Sequence, residues 1–444
     1  MNAPRRRLKT LVGAASVLAA PGDAGPAQGM RRAAALARQA EAERITGLFT
    51  ADLLQADPAG LAGSTGSQEP IVALAALSQA TERIGLVATV STTYHHPYNL
   101  ARLIGTLDHV SGGRAAWNAV TSSVGEENFG GEALPDPERR YARATEFVEI
   151  VNALYDANDP AAIRRHSGGG VSIDPGRLGA IDYRGRHFQV RGPLNVPPSP
   201  QRRPVQFQAG QSAQGVTLGA RHAEVVYTSQ PTLEAAGAFV AELRRQALGF
   251  GRAQRLPFVM NSFHSLIGES DADVARRLRE KHERIDYRQG RLKLADMLGG
   301  ALDLSELPLD RPLPEALLPS VESVHRRRGR VAIFAAYARQ GLSLRELIIR
   351  AQDTGHWSVA GTPEQLADAI EERWRAGLVD VLSLHGLGQP DQHDLLLNGL
   401  LPELRRREVI DRDYLGEDFR ANLELPPLPA HPAHPAWQAP RRSA

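Results

Sequence analysis

The chain has 444 residues, long enough to bury a substantial core as one large domain with insertions or as two ordinary ones. Its 52 basic and 50 acidic residues leave a formal charge of only +2, which argues against a nucleic-acid footprint and against an acidic solvating chain. The chain contains no cysteine, which excludes disulfides, thiolate metal sites and cysteine nucleophiles; chemistry must come from a bound cofactor, histidine, hydroxyls or carboxylates.

The N-terminal stretch PRRRLKTLVGAASVLAAPGDAGPAQ joins a basic start to a short apolar run and small residues, as secretory signals do. The competing reading makes Leu8 to Ala19 a first buried strand. No other run approaches the roughly 18 apolar residues of a membrane span, so no membrane partner is expected. Further strand-like runs follow at Ile45 to Thr50, Ile84 to Ser91, Ala115 to Thr121, Pro204 to Gln208, Glu224 to Thr228, Pro257 to Ile267 and Val379 to Leu384. Helical patterns alternate with them: Met30 to Glu43, Pro70 to Glu82, Pro97 to His109, Arg139 to Tyr155, Ser212 to Arg221, Leu233 to Leu248, Ala272 to Arg284 and Asp391 to Arg407. Eight strand-helix units predict an α/β fold of the closed (β/α)8 TIM-barrel type, and removing Leu8 to Ala19 as a signal would leave seven. The count favours the strand.

An extra helix, Pro363 to Ala376, leads into the last strand, with Thr362 as N-cap, Pro363 at the first helical position and Gln365 three residues after the cap. Two long insertions interrupt the alternation, at about 156–203 and 285–357. The first holds a hairpin in AIDYRGRHFQVRGPL, expected to turn at Arg184 to Arg186, and the second carries mixed helices. Connections of that length act as lids or interfaces. A single barrel domain is expected over 1–425, followed by a Pro-rich, extended or disordered tail at 426–444.

Ligands of parallel barrels sit at the carboxyl ends of the strands, where loops vary freely and helix N-termini present their N–H groups. Polar residues gather there in this chain. The second strand ends in TAD with Asp52; the third in Thr89, Ser91, Thr92, His95 and His96; the fourth in Asn118, Thr121 and Ser122. The fifth gives FQAGQSAQG, where Gly210 permits close backbone approach and Ser212 opens a helix, an arrangement suited to a phosphate. An ordinary serine-capped helix would read the same way. Tyr141 lies in the first turn of RRYARATEFVEIVNALYD, where core packing is the competing role. No metal site is expected, since the His95-His96 pair and the HPAHP tail lack the HxH or HExxH spacing that aims two imidazoles at one ion.

Several segments together resemble one family: EPIVALAALSQATERIGLVATVSTTYHHPYNLAR, LDHVSGGRAAWNAVTS with a following NFG, RRYARATEFVEIV, FQVRGPLNVPPSPQRRPVQFQAGQSAQG and VAGTPEQLADAI. The chain is similar to the bacterial-luciferase-like FMN-dependent monooxygenases, in the branch of the nitrilotriacetate and dibenzothiophene-sulfone monooxygenase large components. That resemblance implies a barrel that takes reduced FMN (FMNH2) from a separate NAD(P)H:flavin reductase. Reaction with O2 through a C4a-(hydro)peroxyflavin would then oxidise a small organic substrate. It places flavin contacts at Asp52, Thr89, Tyr141 and Ser212, with Ser212 near the phosphate. It also implies a cytoplasmic homo-oligomer. His95 and His96 are the candidates for catalytic proton handling, because an imidazole titrates near neutrality; a hydrogen-bonding scaffold is their other role.

The chain departs from the family where Pro137 replaces a histidine four residues before Tyr141, and where His95 and His96 replace an Asn-Glu pair. It also lacks the tryptophan-containing stretch typical after the first strand. Two alternatives stay open at this point: a deazaflavin-dependent hydride-transfer enzyme of the same superfamily, and a flavin-binding barrel without turnover.

Overall fold

In the computed structural model, which describes residues 6–13, 26–55, 68–167, 170–321, 323–324 and 328–428, the eight apolar runs form eight strands. They are β1 (Lys9–Gly13), β2 (Gly47–Thr50), β3 (Gly85–Ser91), β4 (Ala115–Val120), β5 (Val205–Ala209), β6 (Val225–Thr228), β7 (Phe258–Ile267) and β8 (Val381–Leu384). Each pairs in parallel with its chain neighbour, and β8 returns to β1, so the sheet closes on itself. Leu11 lies between Gly47 of β2 and Ser383 of β8, which makes this segment a barrel strand as the count anticipated. The remainder of the Leu8 to Ala19 run, from residue 14, lies outside the described residues, as does the tail from 429.

The barrel strands are joined by helices α1 (Pro26–Ala42), α2 (Pro70–Ser78), α3 (Pro97–Val110), α4 (Pro137–Asp156), α5 (Ala213–His222), α6 (Leu233–Gly249) and α7 (Asp271–Glu283). Side chains alternate across each strand. Leu11, Phe49, Val87, Ala116, Phe207, Val225, Met260 and Val381 fill the barrel. Leu48, Leu86, Trp117 and Leu382 face outward to the helices. Trp117 meets Phe147 of α4 at 6.1 Å between ring centroids.

The amino-terminal mouth is plugged by a helical turn, Phe419–Asn422, which Asp418 caps by accepting from Ala421 N at 2.7 Å. Phe419 is fully buried and lies parallel to Phe207, with centroids 6.3 Å apart. Gly85 is required beneath it, because a Cβ there would stand 2.2 Å from the Phe419 ring.

The insertions differ from expectation in detail. The hairpin pairs Tyr183 with Val190 and Arg184 with Gln189, so the turn spans Gly185 to Phe188, not Arg184 to Arg186. Glu146 of α4 explains the wider loop: its carboxylate accepts from Arg186 N at 3.0 Å and His187 N at 2.9 Å. The second insertion contributes α8 (Tyr287–Met297), α9 (Arg328–Arg339) and α10 (Leu344–Gln352), which share their own apolar cluster of Leu294, Phe334, Leu344 and Leu347. It returns through a short strand, Trp357–Gly361, which pairs with the upper half of β7 and was not foreseen. The capping box of Thr362 and Gln365 then starts α11 (Pro363–Arg375) as predicted. The last helix, expected as one piece from Asp391, instead opens as a wide turn over Leu395–Leu400 and continues over Leu401–Arg406. Pro402 has no N–H to bond four residues back, which loosens that turn. Among the described residues no helix is long and apolar enough to cross a membrane.

Candidate active site at the carboxyl-terminal rim

Two groups of sequence-predicted residues come together at the carboxyl ends of the strands. The first lies after β5. Ser212 caps α5, accepting from Gly215 N at 3.2 Å while its hydroxyl donates to the Tyr141 hydroxyl at 3.3 Å. Tyr141 reaches it from one turn into α4, whose start is fixed by Asp136 as N-cap and Pro137 at the first helical position. Gly210 and Gly215 complete the cradle. A Cβ on Gly215 would meet the Gly210 backbone at 2.9 Å and the Tyr141 hydroxyl at 3.1 Å.

The second group lies inside the barrel mouth. Thr89 and Asn118 are register partners on β3 and β4, and Asn118 Nδ2 donates to Thr89 Oγ1 at 3.0 Å. Asn118 Oδ1 is buried without a hydrogen-bond partner. Ser122 donates to Ser91 Oγ at 2.7 Å, and Arg140 of α4 donates to Ser122 O at the same distance, tying the ends of β3 and β4 to that helix.

Asp52 lies in the half-buried loop after β2. Burial foremost, and then the charge of Glu69, push its carboxyl up, against the Leu53 backbone and nearby His95. His95 Nδ1 lies 3.1 Å from Ser91 O; a carbonyl only accepts, so Nδ1 carries a proton, and in the neutral ring Nε2 is the acceptor. His96 has the opposite arrangement. It caps α3, its Nδ1 accepting from Tyr98 N at 3.3 Å, which leaves the proton on Nε2. Burial and the charge of Arg143 push its pKa down. Both histidines contact residues other than the Ser212–Tyr141 pair: the His96 ring meets Phe188 edge-on at 5.8 Å, and Arg143 donates to His95 O at 3.4 Å.

Sequence reasoning missed a third group. His264 on β7, His356 just before the short returning strand and His385 just after β8 form a stack, with centroids 4.7 Å apart for His264–His356 and 4.1 Å for His264–His385. His356 Nδ1 lies 2.7 Å from Ser229 Oγ, and Arg330 of α9 donates to its Nε2 at 2.9 Å. Since a guanidinium only donates, His356 Nε2 is unprotonated and Nδ1–H donates to Ser229. His385 Nε2 lies 2.9 Å from Ser262 Oγ. More than 90 positions separate His264 from His356, so no local spacing signals the stack.

Burial keeps all three rings neutral: it pushes His264 down to about 3 and His385 to about 4, and holds His356 well below the ordinary imidazole value. His222, buried at the end of α5 beside Arg221 and Arg252, is pushed down to about 3. In the unfolded chain each would titrate near 6.5. These groups therefore leave stability intact above pH 6.5 and erode it as pH falls toward their folded values. The expected loss is roughly 1.4 kcal/mol per pH unit for each ring. Denaturant unfolding at pH 5 should accordingly take up about four protons through these histidines; an unfolding free energy flat between pH 6.5 and 4.5 would contradict their neutral burial.

The residues at the rim fit a phosphorylated flavin on two counts: the Ser212, Tyr141, Gly215 cradle at a helix N-terminus suits a phosphate, and the orphaned Asn118 Oδ1 suits a ring N–H. Among the described residues no three His, Asp or Glu side chains are placed to hold a metal ion. A closed parallel barrel with polar side chains gathered at the carboxyl ends of its strands defines the class, that of a (β/α)8 barrel with its site at that rim. Comparison with known proteins specifies it. Residues 12–380 match the family profile described as luciferase-like monooxygenase. N-acetyl-S-(2-succino)cysteine monooxygenase of Bacillus subtilis (strain 168) is 37% identical over 393 residues, 88% of each chain. Nitrilotriacetate monooxygenase component A of Aminobacter aminovorans is 37% identical over 361 residues, 80% of this chain and 79% of its own. The structure of EDTA monooxygenase from Chelativorans sp. BNC1 superposes with a TM-score of 0.73 at 30% identity, covering 95% of this chain and 99% of its own. The chain belongs to the luciferase-like monooxygenase family, and it is a flavin-dependent monooxygenase.

Proposed function

We propose that the chain is the oxygenase component of a two-component system. It takes reduced FMN from a separate NAD(P)H:flavin reductase and uses O2 to place one oxygen atom on a small polycarboxylate bearing a thioether or tertiary amine. The component role is supported by the nitrilotriacetate relative, named as one component of its monooxygenase, and by a further relative named as one part of pristinamycin IIA synthase. The substrate class is supported by the succinylated cysteine and the nitrilotriacetate named in two relatives that are 37% identical to this chain. FMN is supported by a structure titled riboflavin lyase with modified FMN and substrate riboflavin, which superposes with a TM-score of 0.81 at 27% identity over 94% of this chain and 96% of its own. An F420-dependent secondary alcohol dehydrogenase shares the fold alone, at 13% identity and a TM-score of 0.57.

The observation that carries FMN is the cradle after β5. Bound reduced flavin would supply the electrons and the reactivity toward O2. Ser212, the amides at the start of α5 and the Tyr141 hydroxyl would hold the phosphate. Thr89 and Asn118 would meet the ring system in the barrel mouth. Asp52 and the two histidines manage protons: His95 offers a lone pair at Nε2 and His96 a proton at Nε2, adjacent and opposite in role. The insertions act as lids over the rim, excluding water. The protein works in the cytoplasm, where the reductase finds NAD(P)H, as a homo-oligomer.

The test supplies flavin reductase, NADH, FMN and O2, and follows consumption of N-acetyl-S-(2-succino)cysteine and nitrilotriacetate against peroxide release. Oxygenated product is expected. Flavin binding with peroxide as the sole product would mark a barrel without turnover, and no saturable uptake of FMN in either redox state would remove the assignment.

A further inference from the structure

The loop that carries the cradle, Gly210 to Ser212, is held by side chains from far along the chain. Next to Ser212, the Gln211 amide lies against the Ser229 peptide, its nitrogen donating to Ser229 O at 2.8 Å and its oxygen accepting from Ser229 N at 3.2 Å. Ser229, just after β6, is fully buried, and the next carbonyl, Gln230 O, accepts from the buried Arg373 of α11 at 2.7 Å. Ser229 is thus a fixed post. Its hydroxyl accepts from His356 Nδ1–H at 2.7 Å, and Arg330 of α9 donates to His356 Nε2 at 2.9 Å and also to Thr354 O. The residue before Arg330 closes the circuit: an added Cβ on Gly329 would stand 3.0 Å from Gln211 Cβ. The start of α9 and the segment 354–356, both from the second insertion, therefore bear on the loops after β5 and β6.

We propose that Arg330 and His356 are positioning residues for the cofactor phosphate, acting through Ser229 and Gln211 on the loop that presents Ser212. This rests on the reading of the cradle as a phosphate site. The bonds of the His356 ring suit it to that role and not to a reactive one. A ring whose Nε2 accepts from a guanidinium and whose Nδ1–H is given to a serine has neither a lone pair nor a proton to offer a substrate. It passes the position of Arg330 on to Ser229 instead. Such support matters here because a binding cradle must be held to within about 0.5 Å of its working geometry. The loop includes Gly210, whose backbone is free to shift unless its neighbours hold it. The linkage also runs the other way. A phosphate that draws Ser212 and the start of α5 into place stabilises the same contacts, so occupancy of the cradle and the seating of the second insertion reinforce each other.

His356→Leu should weaken FMN binding by about tenfold, while riboflavin, which has no phosphate, binds as it does to the wild type. His356→Asn, whose amide nitrogen can donate to Ser229 in place of Nδ1, should recover most of that loss. Arg330→Met should act in the same direction as His356→Leu, and the double variant should lose little more than the worse single, because the two break one chain. Amide hydrogen exchange reads the reverse direction on the wild type, with no variant that could fail to fold. At equal saturation, FMN should slow exchange over residues 328–331 and 354–358 more than riboflavin does. Equal losses of FMN and riboflavin in folded His356→Leu, unchanged FMN affinity, or exchange in those segments slowed no more by FMN than by riboflavin would overturn the positioning role while leaving the cradle in place. A wild type that binds riboflavin as tightly as FMN would overturn the phosphate reading, and this role with it.

Discussion

Phe419→Ala is expected to cost about 3–5 kcal/mol of folding stability, the range for removing a fully buried phenylalanine. The ring closes the amino-terminal mouth of the barrel, parallel to Phe207 and directly over Gly85. Its loss leaves a cavity that the surrounding strands cannot shrink, because their hydrogen-bond ladder fixes the barrel diameter. The partner change, Gly85→Ala, should be severe for the opposite reason: a methyl group 2.2 Å from the ring forces the Phe419–Asn422 turn off its seat. Combined, the two should cost less than the sum of the singles, since the alanine methyl enters part of the space that the ring vacates. Denaturant unfolding of the four proteins measures the cycle. Strict additivity would show that Phe419 and Gly85 do not share one site. Flavin binding, proposed at the opposite end of the barrel, should survive in each variant that folds.

Ser212→Asp should weaken FMN binding by about a hundredfold or more while leaving the fold intact, since like charges juxtaposed in a partly buried site cost several kcal/mol. Aspartate is as good an N-cap as serine, so α5 keeps its start. What changes is the charge facing the proposed phosphate, now a carboxylate against a dianion. Riboflavin, which has no phosphate, should bind variant and wild type alike. Equal loss for FMN and riboflavin would instead show that Ser212 serves only the helix, and unchanged FMN affinity would move the phosphate elsewhere on the rim.

The barrel was legible because parallel strands buried on both faces are written as continuous apolar runs, and eight such runs alternating with helices leave few other closed arrangements. Ser212 and Tyr141 were legible as well, each lying where a helix begins, and the structure brings them within hydrogen-bond reach. Other features escaped because nothing local encodes them. The strand Trp357–Gly361 is five residues long and takes its register wholly from β7. Phe419 belongs to a single turn whose importance comes from the hole beneath it. The histidine stack joins the ends of distant segments, and a search for short metal-binding spacings passes over rings that meet only after the barrel has closed. The widened hairpin was set by Glu146, a side chain on another element.

β7 is ten residues long, against four in each of its barrel neighbours β6 and β8. Its first half seals the cylinder against β6 and β8, and its second half rises clear to meet Trp357–Gly361, so the second insertion, which leaves after α7, rejoins along the edge of β7. The two ends of that excursion are tied to each other outside the closing strand pairs, Lys281 Nζ at the end of α7 donating to Asp353 at 2.9 Å, so the cylinder's own ladder does not depend on what lies between them. Descent with modification could therefore rebuild this insertion, by recombination or by gain and loss of helices, while the eight-stranded cylinder stayed fixed.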